Sequence, residues 1–238
     1  MSLYTKSKQR FGVPKIQKRL AAEYGIKISA GRVYRLMKGM TLPKMSTVKP
    51  KPATKVEHTD AEYINVLKKQ FNPDAPNKAW VSDITYVRVN GRFHYVCAII
   101  DLYARKLIAC KASARMTMAL TLSTFNAAYV SRNEPTAVIF HSDRGSQYTG
   151  NDFRRRIDEV KFIQSFSAKA HPYDNAVSEA FFRFLKSEEV NRRSFSSLAE
   201  LELALFEYTH FYNNDRPHSS NDWLSPIEME ELYLKEKQ

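Results

Sequence analysis

A predicted hairpin near the middle of the chain constrains the fold more than any other feature. Residues 80–89 have the composition of a strand, residues 93–102 form a strongly apolar second strand, and Asn90-Gly91 between them is a pair that two-residue hairpin turns favour. The elements predicted after the hairpin are a strand at 106–112, a helix at 116–129, a strand at 136–140, a helix at 151–159 and a strand at 161–166. Three strands in a meander followed by alternating helices and strands predict an α/β domain.

The first forty residues predict a small helical module. A helix at 15–24 ends before Gly25, and a second helix begins after Ser29, which serves as its N-cap. The apolar face of this second helix is predicted to consist of Val33, Leu36 and Met37. Two short helices around a glycine turn indicate a helix-turn-helix.

Positive charge points toward a polyanionic partner but leaves alternatives open. Arg32, Arg35 and Lys38 recur every three residues on the second helix, which would aim three cations at one side, as a recognition helix does in a major groove. A basic helical hairpin with a solvated face is the other interpretation. Over the whole chain, 37 Lys and Arg residues exceed 25 Asp and Glu residues, a net charge of +12 that attracts nucleic acid but would also fit a ribosomal protein.

Composition also bounds the class and organisation of the protein. No run of about 18 apolar residues occurs, so we expect a soluble, cytoplasmic protein without a secretion signal or membrane partner. The only two cysteines, Cys97 and Cys110, lie in apolar strands and are expected to be reduced thiols. Prolines and lysines mark residues 41–59 as a linker. The predicted organisation is a helix-turn-helix module at 1–40, a linker and lead-in at 41–74, a core domain at 75–190 and a helical extension at 191–238.

Three acids lie at positions from which they could converge. Asp83 falls within the first predicted strand, Asp143 directly follows the apolar residues 138–140, and Glu179 lies on a helix predicted to begin after Asn175 as its cap. An acid within an apolar strand is costly unless a partner or a metal neutralises it, although a surface-facing Asp83 is the alternative. Converging carboxylates without a His or Cys cluster favour Mg2+ or Mn2+. Two such ions about 3.5 to 4 Å apart suit an in-line phosphoryl displacement.

The helix that carries Glu179 has two different faces. Its apolar stripe, which must pack on the sheet, is predicted to consist of Val177, Phe181, Phe184 and Leu185. Arg183 and Lys186 lie four and seven residues after Glu179, so the three side chains project together from the opposite face. The two cations could contact phosphates beside the acids or form a solvated pair.

Three blocks around the acids resemble the signature blocks of bacterial insertion-sequence transposases of the OrfB type. They are Trp80-Val-Ser-Asp83-Ile-Thr-Tyr86, His141-Ser-Asp143-Arg-Gly-Ser-Gln-Tyr148 and Tyr173-Asp-Asn-Ala-Val-Ser-Glu179. Between Asp143 and Glu179 lie 35 residues, the spacing typical of the Asp, Asp, Glu triad of this superfamily. The resemblance implies the ribonuclease-H-like core of retroviral integrases: a mixed five-stranded sheet flanked by helices, here the catalytic core predicted at 75–190.

The resemblance also implies a function and its partners. A DDE-type transposase would cleave DNA at insertion-sequence ends and transfer the strands, with Asp83 bridging two Mg2+ or Mn2+ ions, Asp143 on one and Glu179 on the other. Its expected partners are double-stranded DNA at terminal inverted repeats and at the target, further copies of itself on DNA, and a helix-turn-helix protein encoded in an upstream frame. Association with the bacterial nucleoid would follow.

The groups next to the acids are expected to support them. The hydroxyls of Ser82, Ser142 and Ser178 are predicted to be caps or hydrogen-bond donors, since this chemistry needs no nucleophile from the protein. His141 is predicted to orient Asp143. Two rival functions keep parts of this interpretation: a metal-dependent ribonuclease acting on RNA in hybrids, and a non-catalytic, domesticated DNA-binding protein with a fossil core.

Overall fold

The computed structural model describes residues 2–42, 63–168 and 172–237. Its N-terminal module contains α1 (Ser2–Lys6), α2 (Val13–Tyr24) and α3 (Ala30–Gly39). Gly25 ends α2 with a left-handed φ of 65°, and the Ser29 hydroxyl accepts a hydrogen bond from the backbone N–H of Arg32, so both predicted helix boundaries are confirmed. Helix α1 was not predicted. The apolar face of α3 is narrower than expected, because Val33 is buried whereas Leu36 is 53% exposed.

The sheet has five strands in the order β3-β2-β1-β4-β5. Strands β1 (Ala79–Val89), β2 (Arg92–Asp101) and β3 (Lys106–Ser113) form the antiparallel meander, and β4 (Ile139–Ser142) and β5 (Ile163–Phe166) add parallel strands beside β1. Asn90 and Gly91 both have positive φ, 45° and 75°, as a tight hairpin turn requires. This mixed five-stranded sheet confirms the predicted fold class.

Two strands begin later than the sequence pattern predicts. The fourth strand was expected from residue 136 and the fifth from 161, but they start at Ile139 and Ile163. Ala137 and Lys161 have φ values of 58° and lie in the left-handed region, so an extended backbone cannot run through them. The N–H of Ala137 donates to the carbonyl of Lys161, which joins the two turns just ahead of the strands.

Helices cover both faces of the sheet. On one face lie α4 (Met118–Ser131), the short α5 (Ser146–Thr149), which was not predicted, and α6 (Asn151–Glu159). Their core is largely aromatic: the rings of Trp80, Phe125 and Phe140 are fully buried and packed together. This core fixes the spatial relation between β1 and β4, the two strands that lead to Asp83 and Asp143.

The other face carries α7 (Ala176–Glu188) and α8 (Leu198–Asn214), and α9 (Pro226–Glu236) packs against α8. Asn175 is the N-cap residue of α7, as predicted, but its side chain makes no capping hydrogen bond. Ser225 begins α9 with a capping box completed by Glu228. None of the helices described in 2–42, 63–168 and 172–237 is long and apolar enough to cross a membrane.

One core joins α7, α8 and the N-terminal module to the sheet. Phe181 and Leu185 of α7 are buried beside Leu205 of α8, and Ile16 and Val33 of the module belong to the same cluster. Part of the predicted linker, residues 43–62, lies outside the described residues. The four predicted segments stay a prediction about organisation, although α8 packs directly on β3.

A buried ion cluster fixes the N-terminal module to the C-terminal end of α7. Glu188 accepts hydrogen bonds from Arg216 at 2.9 Å, Lys15 at 2.6 Å and the Tyr208 hydroxyl at 2.9 Å. The adjacent Glu189 pairs with Arg10, whose guanidinium also lies 4.5 Å from the ring centroid of Phe211. We refer below to Arg10, Lys15, Glu188, Glu189 and Arg216 as the buried ion cluster.

Candidate active site

Strand pairing places Asp83 and Asp143 side by side. The parallel ladder of β1 and β4 matches Trp80 with Phe140 and Val81 with His141. Asp83 and Asp143 each lie two residues beyond that last pair, at the end of the paired region where the strands separate. Asp83 also points to the sheet face that carries α7, because Val81, two residues earlier, packs in the core beneath that helix.

Glu179 reaches the same region from α7. It lies in the first turn of the helix, with its side chain exposed and directed away from the buried Phe181 and Leu185. Helix α7 packs across β1, so its N-terminal turn brings Glu179 toward the strand that carries Asp83.

The three carboxyl groups interact electrostatically. The pKa of Asp83 is raised to about 7, chiefly by burial, next by the Asp143 carboxylate and more weakly by Glu179. The Ile84 N–H and Lys186 oppose this rise. Burial also raises the pKa of Asp143, although the Gly145 N–H donates to its Oδ1 at 3.0 Å. Partial burial raises the pKa of the surface residue Glu179, opposed by Arg183. Asp143 and Glu179 therefore both lie close enough to Asp83 to raise the pKa of its carboxyl group.

The donor chemistry of this site fits a hard divalent cation. In the part of the chain that the structure describes, no three His, Cys, Asp or Glu side chains are grouped closely enough to hold one metal ion. The three acids nevertheless offer oxygen donors, and the pKa of Asp83 is raised partly by the other two, so a cation among them would relieve their repulsion. The Ser178 hydroxyl, next to Glu179, is buried without a hydrogen-bond partner among the described residues.

Hydroxyl groups near the acids support the strands. Ser82 bonds the Tyr148 hydroxyl at 2.8 Å and donates to the carbonyl of Ala98 at 3.0 Å, on the sheet face opposite Asp83. Ser142 donates to the carbonyl of Asp143. Ser82 therefore points away from the acids and is bound within the fold.

The predicted role of His141 is wrong. Its Nδ1 and Nε2 lie 2.9 Å and 3.1 Å from the hydroxyls of Ser165 and Ser167, so both ring nitrogens are engaged away from Asp143. Burial lowers the pKa of His141 to about 4, and the ring is neutral at ordinary pH. Its side chain ties β4 to β5 and to the segment after β5.

The predicted cations occupy two separate surfaces. Arg183 is exposed on the Glu179 face of α7, and Lys186, one turn further, is half-buried with its pKa lowered by burial and raised by Asp83. Arg32, Arg35 and Lys38 are all exposed along α3.

The structure also reveals two exposed aromatic rings near Lys186, those of Tyr86 and Phe93. From sequence, both residues were assigned only to ordinary strands. Their only sequence signal is an aromatic residue on each side of the Asn90-Gly91 turn.

Comparisons with known families agree with this fold. Two family models described as "Integrase core domain" match residues 73–172 and 161–226, and one described as "HTH-like domain" matches residues 1–51. The catalytic core of HTLV-2 integrase, from a structure in complex with magnesium, aligns with a TM-score of 0.53 at 15% identity, over 66% of this chain and 98% of the integrase. A simian T-cell lymphotropic virus intasome structure aligns with a TM-score of 0.54 at 12% identity, over 96% of this chain and 73% of the other. The integrase-core family matches, together with the sequence relatives described next, place the chain in the polynucleotidyl transferase class.

Sequence relatives narrow this class. Transposase InsF of insertion sequence IS3A from Escherichia coli (strain K12) is 33% identical over 235 residues, 98% of this chain and 81% of InsF. The transposase of IS904 from Lactococcus lactis is 33% identical over 96% of this chain and 90% of its own length. A 31 kDa protein of IS600 from Shigella sonnei is 33% identical over 97% of this chain and 85% of its length. The chain belongs to this family of insertion-sequence transposases, whose catalytic class is the DDE type.

Proposed function

We propose that Asp83, Asp143 and Glu179 are the catalytic acids of this transposase and hold divalent metal, Mg2+ or Mn2+, for DNA cleavage and strand transfer at insertion-sequence ends. The observation that carries the proposal is the strand register, which puts Asp83 and Asp143 each two residues beyond the pair of Val81 and His141, and Asp143 and Glu179 both raise the pKa of Asp83. Two bound ions would supply activation of a water or a DNA 3′-hydroxyl and stabilisation of the departing oxygen.

The side chains of this chain perform the remaining tasks. Asp83 and Asp143 are presented from two hydrogen-bonded strands, so their separation is set by the sheet, whereas Glu179 arrives on a helix held by buried aromatic residues. Arg183 is exposed one turn after Glu179 and can neutralise a phosphate beside the acids. Lys186 would contact a phosphate at the neighbouring position, because it already interacts with Asp83.

The test of the acid site is a conservative substitution in the whole chain. With Mg2+ or Mn2+, the purified protein should cleave and join oligonucleotides that end in the terminal repeats of its element. Asp143→Asn should abolish both reactions while duplex binding persists, because the charge is lost and the shape is kept. Asp158→Asn, at an exposed position of α6, is the matched control and should remain active. Full activity of Asp143→Asn, or activity in EDTA, would disprove the assignment.

We also propose that Arg32, Arg35 and Lys38 of α3 contact the DNA end. All three are exposed on a helix whose other side is held by Val33 in the core. Since each phosphate contact contributes about 0.9 to the slope of log affinity against log salt, Arg35→Gln should lower the slope by about that amount if it contacts a phosphate. Lys235→Gln, an exposed cation of α9, should leave the slope unchanged. A contact to a base edge would instead lower affinity for the terminal repeat relative to random duplex.

The partners proposed for this enzyme follow from the same family. They are double-stranded DNA, further copies of the chain assembled on DNA ends, and a helix-turn-helix protein from an upstream frame, with the complex located at the nucleoid. The simian virus structure is described as an intasome, which supports assembly on DNA only by analogy. Mass measurements of the protein with and without a DNA end would show whether DNA drives oligomer formation.

A further inference from the structure

An exposed aromatic pair lies on the β1–β2 hairpin, three residues beyond Asp83 along β1 and on the opposite face of the sheet. Tyr86 is 58% exposed and Phe93 is 48% exposed, and their rings meet edge to face with centroids 5.1 Å apart. The register pairs Arg88 with Phe93, which puts Tyr86, Arg88 and Phe93 on one face of the hairpin. Nearer the start of β1, α4 and α6 cover this face of the sheet. At the hairpin end the rings remain uncovered.

Two cations flank these rings. The Arg88 guanidinium carbon lies 5.1 Å from the centroid of Phe93, and Lys186 Nζ lies 4.8 Å from the centroid of Tyr86. Both distances fall within the range of cation–π contact. Lys186 belongs to α7, on the opposite side of the sheet, and also interacts with Asp83.

The edge of β1 explains how Lys186 reaches both groups. On the side of β4, the ladder of β1 ends at Val81, and within the described residues its next bridge on that side joins Val89 to Phe195. The intervening edge therefore lacks a strand neighbour, and Lys186 lies along it between Asp83 and Tyr86. Three residues of strand separate these two positions, about 10 Å at 3.3 Å per residue.

We propose that Tyr86, Arg88, Phe93 and Lys186, which we term the hairpin platform, form a stacking site for an unpaired base of the DNA strand that enters the acid site. Contact with duplex phosphates would use cations alone, whereas a single-stranded nucleotide offers a flat base for the rings and a phosphate for Lys186 and Arg88. Proteins that bind single strands combine these two features. Tyr86 lies about 10 Å from Asp83 along β1 but on the other sheet face, so a DNA strand that joins the two sites would pass the free edge of β1 beside Lys186. The proposal rests on the proposed function, since it assumes that DNA reaches the acids.

The test compares two DNA probes bound to the full chain in EDTA, so that no strand is cut. One is a short blunt duplex, and the other is the same duplex ending in an unpaired flap that contains 2-aminopurine, whose fluorescence falls when it stacks. Wild-type protein should bind the flapped probe more tightly and quench it. Since stacking of one base on an aromatic ring contributes about 1–3 kcal/mol, the preference should be about 5- to 150-fold.

Substitutions assign the effect to the platform. The double variant Tyr86→Thr with Phe93→Thr introduces β-branched residues, which suit strands, and should lose both the flap preference and the quenching, with blunt-duplex affinity unchanged. The single variant Tyr86→Trp, with Phe93 unchanged, should retain the quenching that the double variant loses. Phe206→Thr, which removes a ring that is 74% exposed on α8, is the matched control and should behave as wild type.

Each outcome decides between the two proposals. If the double variant retains the flap preference, or if wild-type protein binds both probes equally yet cleaves DNA with Mg2+, the hairpin platform is disproved and the proposed function stands. If the wild-type chain binds neither probe, the proposed function fails and the platform fails with it. Equal loss of binding to both probes in the double variant would assign the rings to duplex contact or folding and would overturn the stacking role.

Discussion

Replacing Glu188 by Gln tests whether the buried ion cluster holds the N-terminal module on the catalytic core. The Glu188 side chain is 2% exposed and its partner Arg216 is 3% exposed, so neither charge is solvated. Arg216 donates to both carboxylate oxygens, from Nε at 2.9 Å and from Nη2 at 3.0 Å. The substituted glutamine would keep the shape of the side chain but would leave two cations buried without their anion.

The expected cost is large because one partner of a buried pair is removed. Such a change usually costs about 3–5 kcal/mol, since the remaining charge stays desolvated. For a protein of this size, each kcal/mol lowers Tm by roughly 2–4 °C, so Glu188→Gln should lower Tm by about 6–20 °C. Burial and the Arg216 guanidinium lower the pKa of Lys15 to about 8 in spite of Glu188.

The assay is thermal and urea unfolding of the whole chain, with an exposed ion pair as reference. Lys8→Gln removes the pair of Lys8 and Glu207, whose Nζ to Oε2 distance is 2.8 Å but whose side chains are 63% and 41% exposed. Exposed pairs contribute about 0–1 kcal/mol, so this variant should unfold almost as wild type does. A destabilisation by Glu188→Gln no larger than that by Lys8→Gln would refute this role of the buried ion cluster.

Three further predictions concern pH, a turn and a helix cap. Burial alone would raise the pKa of Glu188, but its two cationic partners lower the pKa below the ordinary value of 4.5. The stability that Glu188 contributes is therefore complete above that pH and is lost as pH falls. Urea midpoints should therefore drop more steeply in acid for wild type than for Glu188→Gln, and parallel curves would contradict this. Gly91→Ala should destabilise the protein by about 1–2 kcal/mol because φ of Gly91 is 75°, whereas Gly31→Ala in α3 should stabilise it by about 0.5–1 kcal/mol. If both substitutions change the free energy of unfolding in the same direction, the backbone explanation is refuted. Ser225→Ala should cost about 0.5–2 kcal/mol by loss of the capping box of α9, and an unchanged Tm would count against it.

Features encoded by neighbouring residues were predictable from sequence. Gly25 ends a helix and Asn90-Gly91 closes a hairpin, because in both cases the residue type itself favours the required backbone. The strand starts at 139 and 163 were missed for the opposite reason. Ala137 and Lys161 adopt left-handed φ although neither residue type favours it, so the surrounding structure imposes the conformation.

Contacts between distant parts of the chain could not be predicted from local patterns. Lys15 and Glu188 are 173 residues apart, and nothing in either segment indicates the other. The same limit applies to His141, whose partners lie on the next strand and beyond it. The three acids could be identified because the spacing typical of the family supplied that missing information. No sequence pattern of this kind marked Tyr86 and Phe93.

Helix α7 connects these distant features physically. Glu179 lies in its first turn, Lys186 and Glu188 lie in its last, and Phe181 and Leu185 fix its middle in the core. At 1.5 Å per residue, Glu179 and Glu188 are only about 14 Å apart along the axis. A helix this short and this well packed moves as one body, so the buried ion cluster that orients the N-terminal module also orients the third acid. Under the proposed function, the same helix would position DNA held by α3 relative to a phosphate held near Glu179.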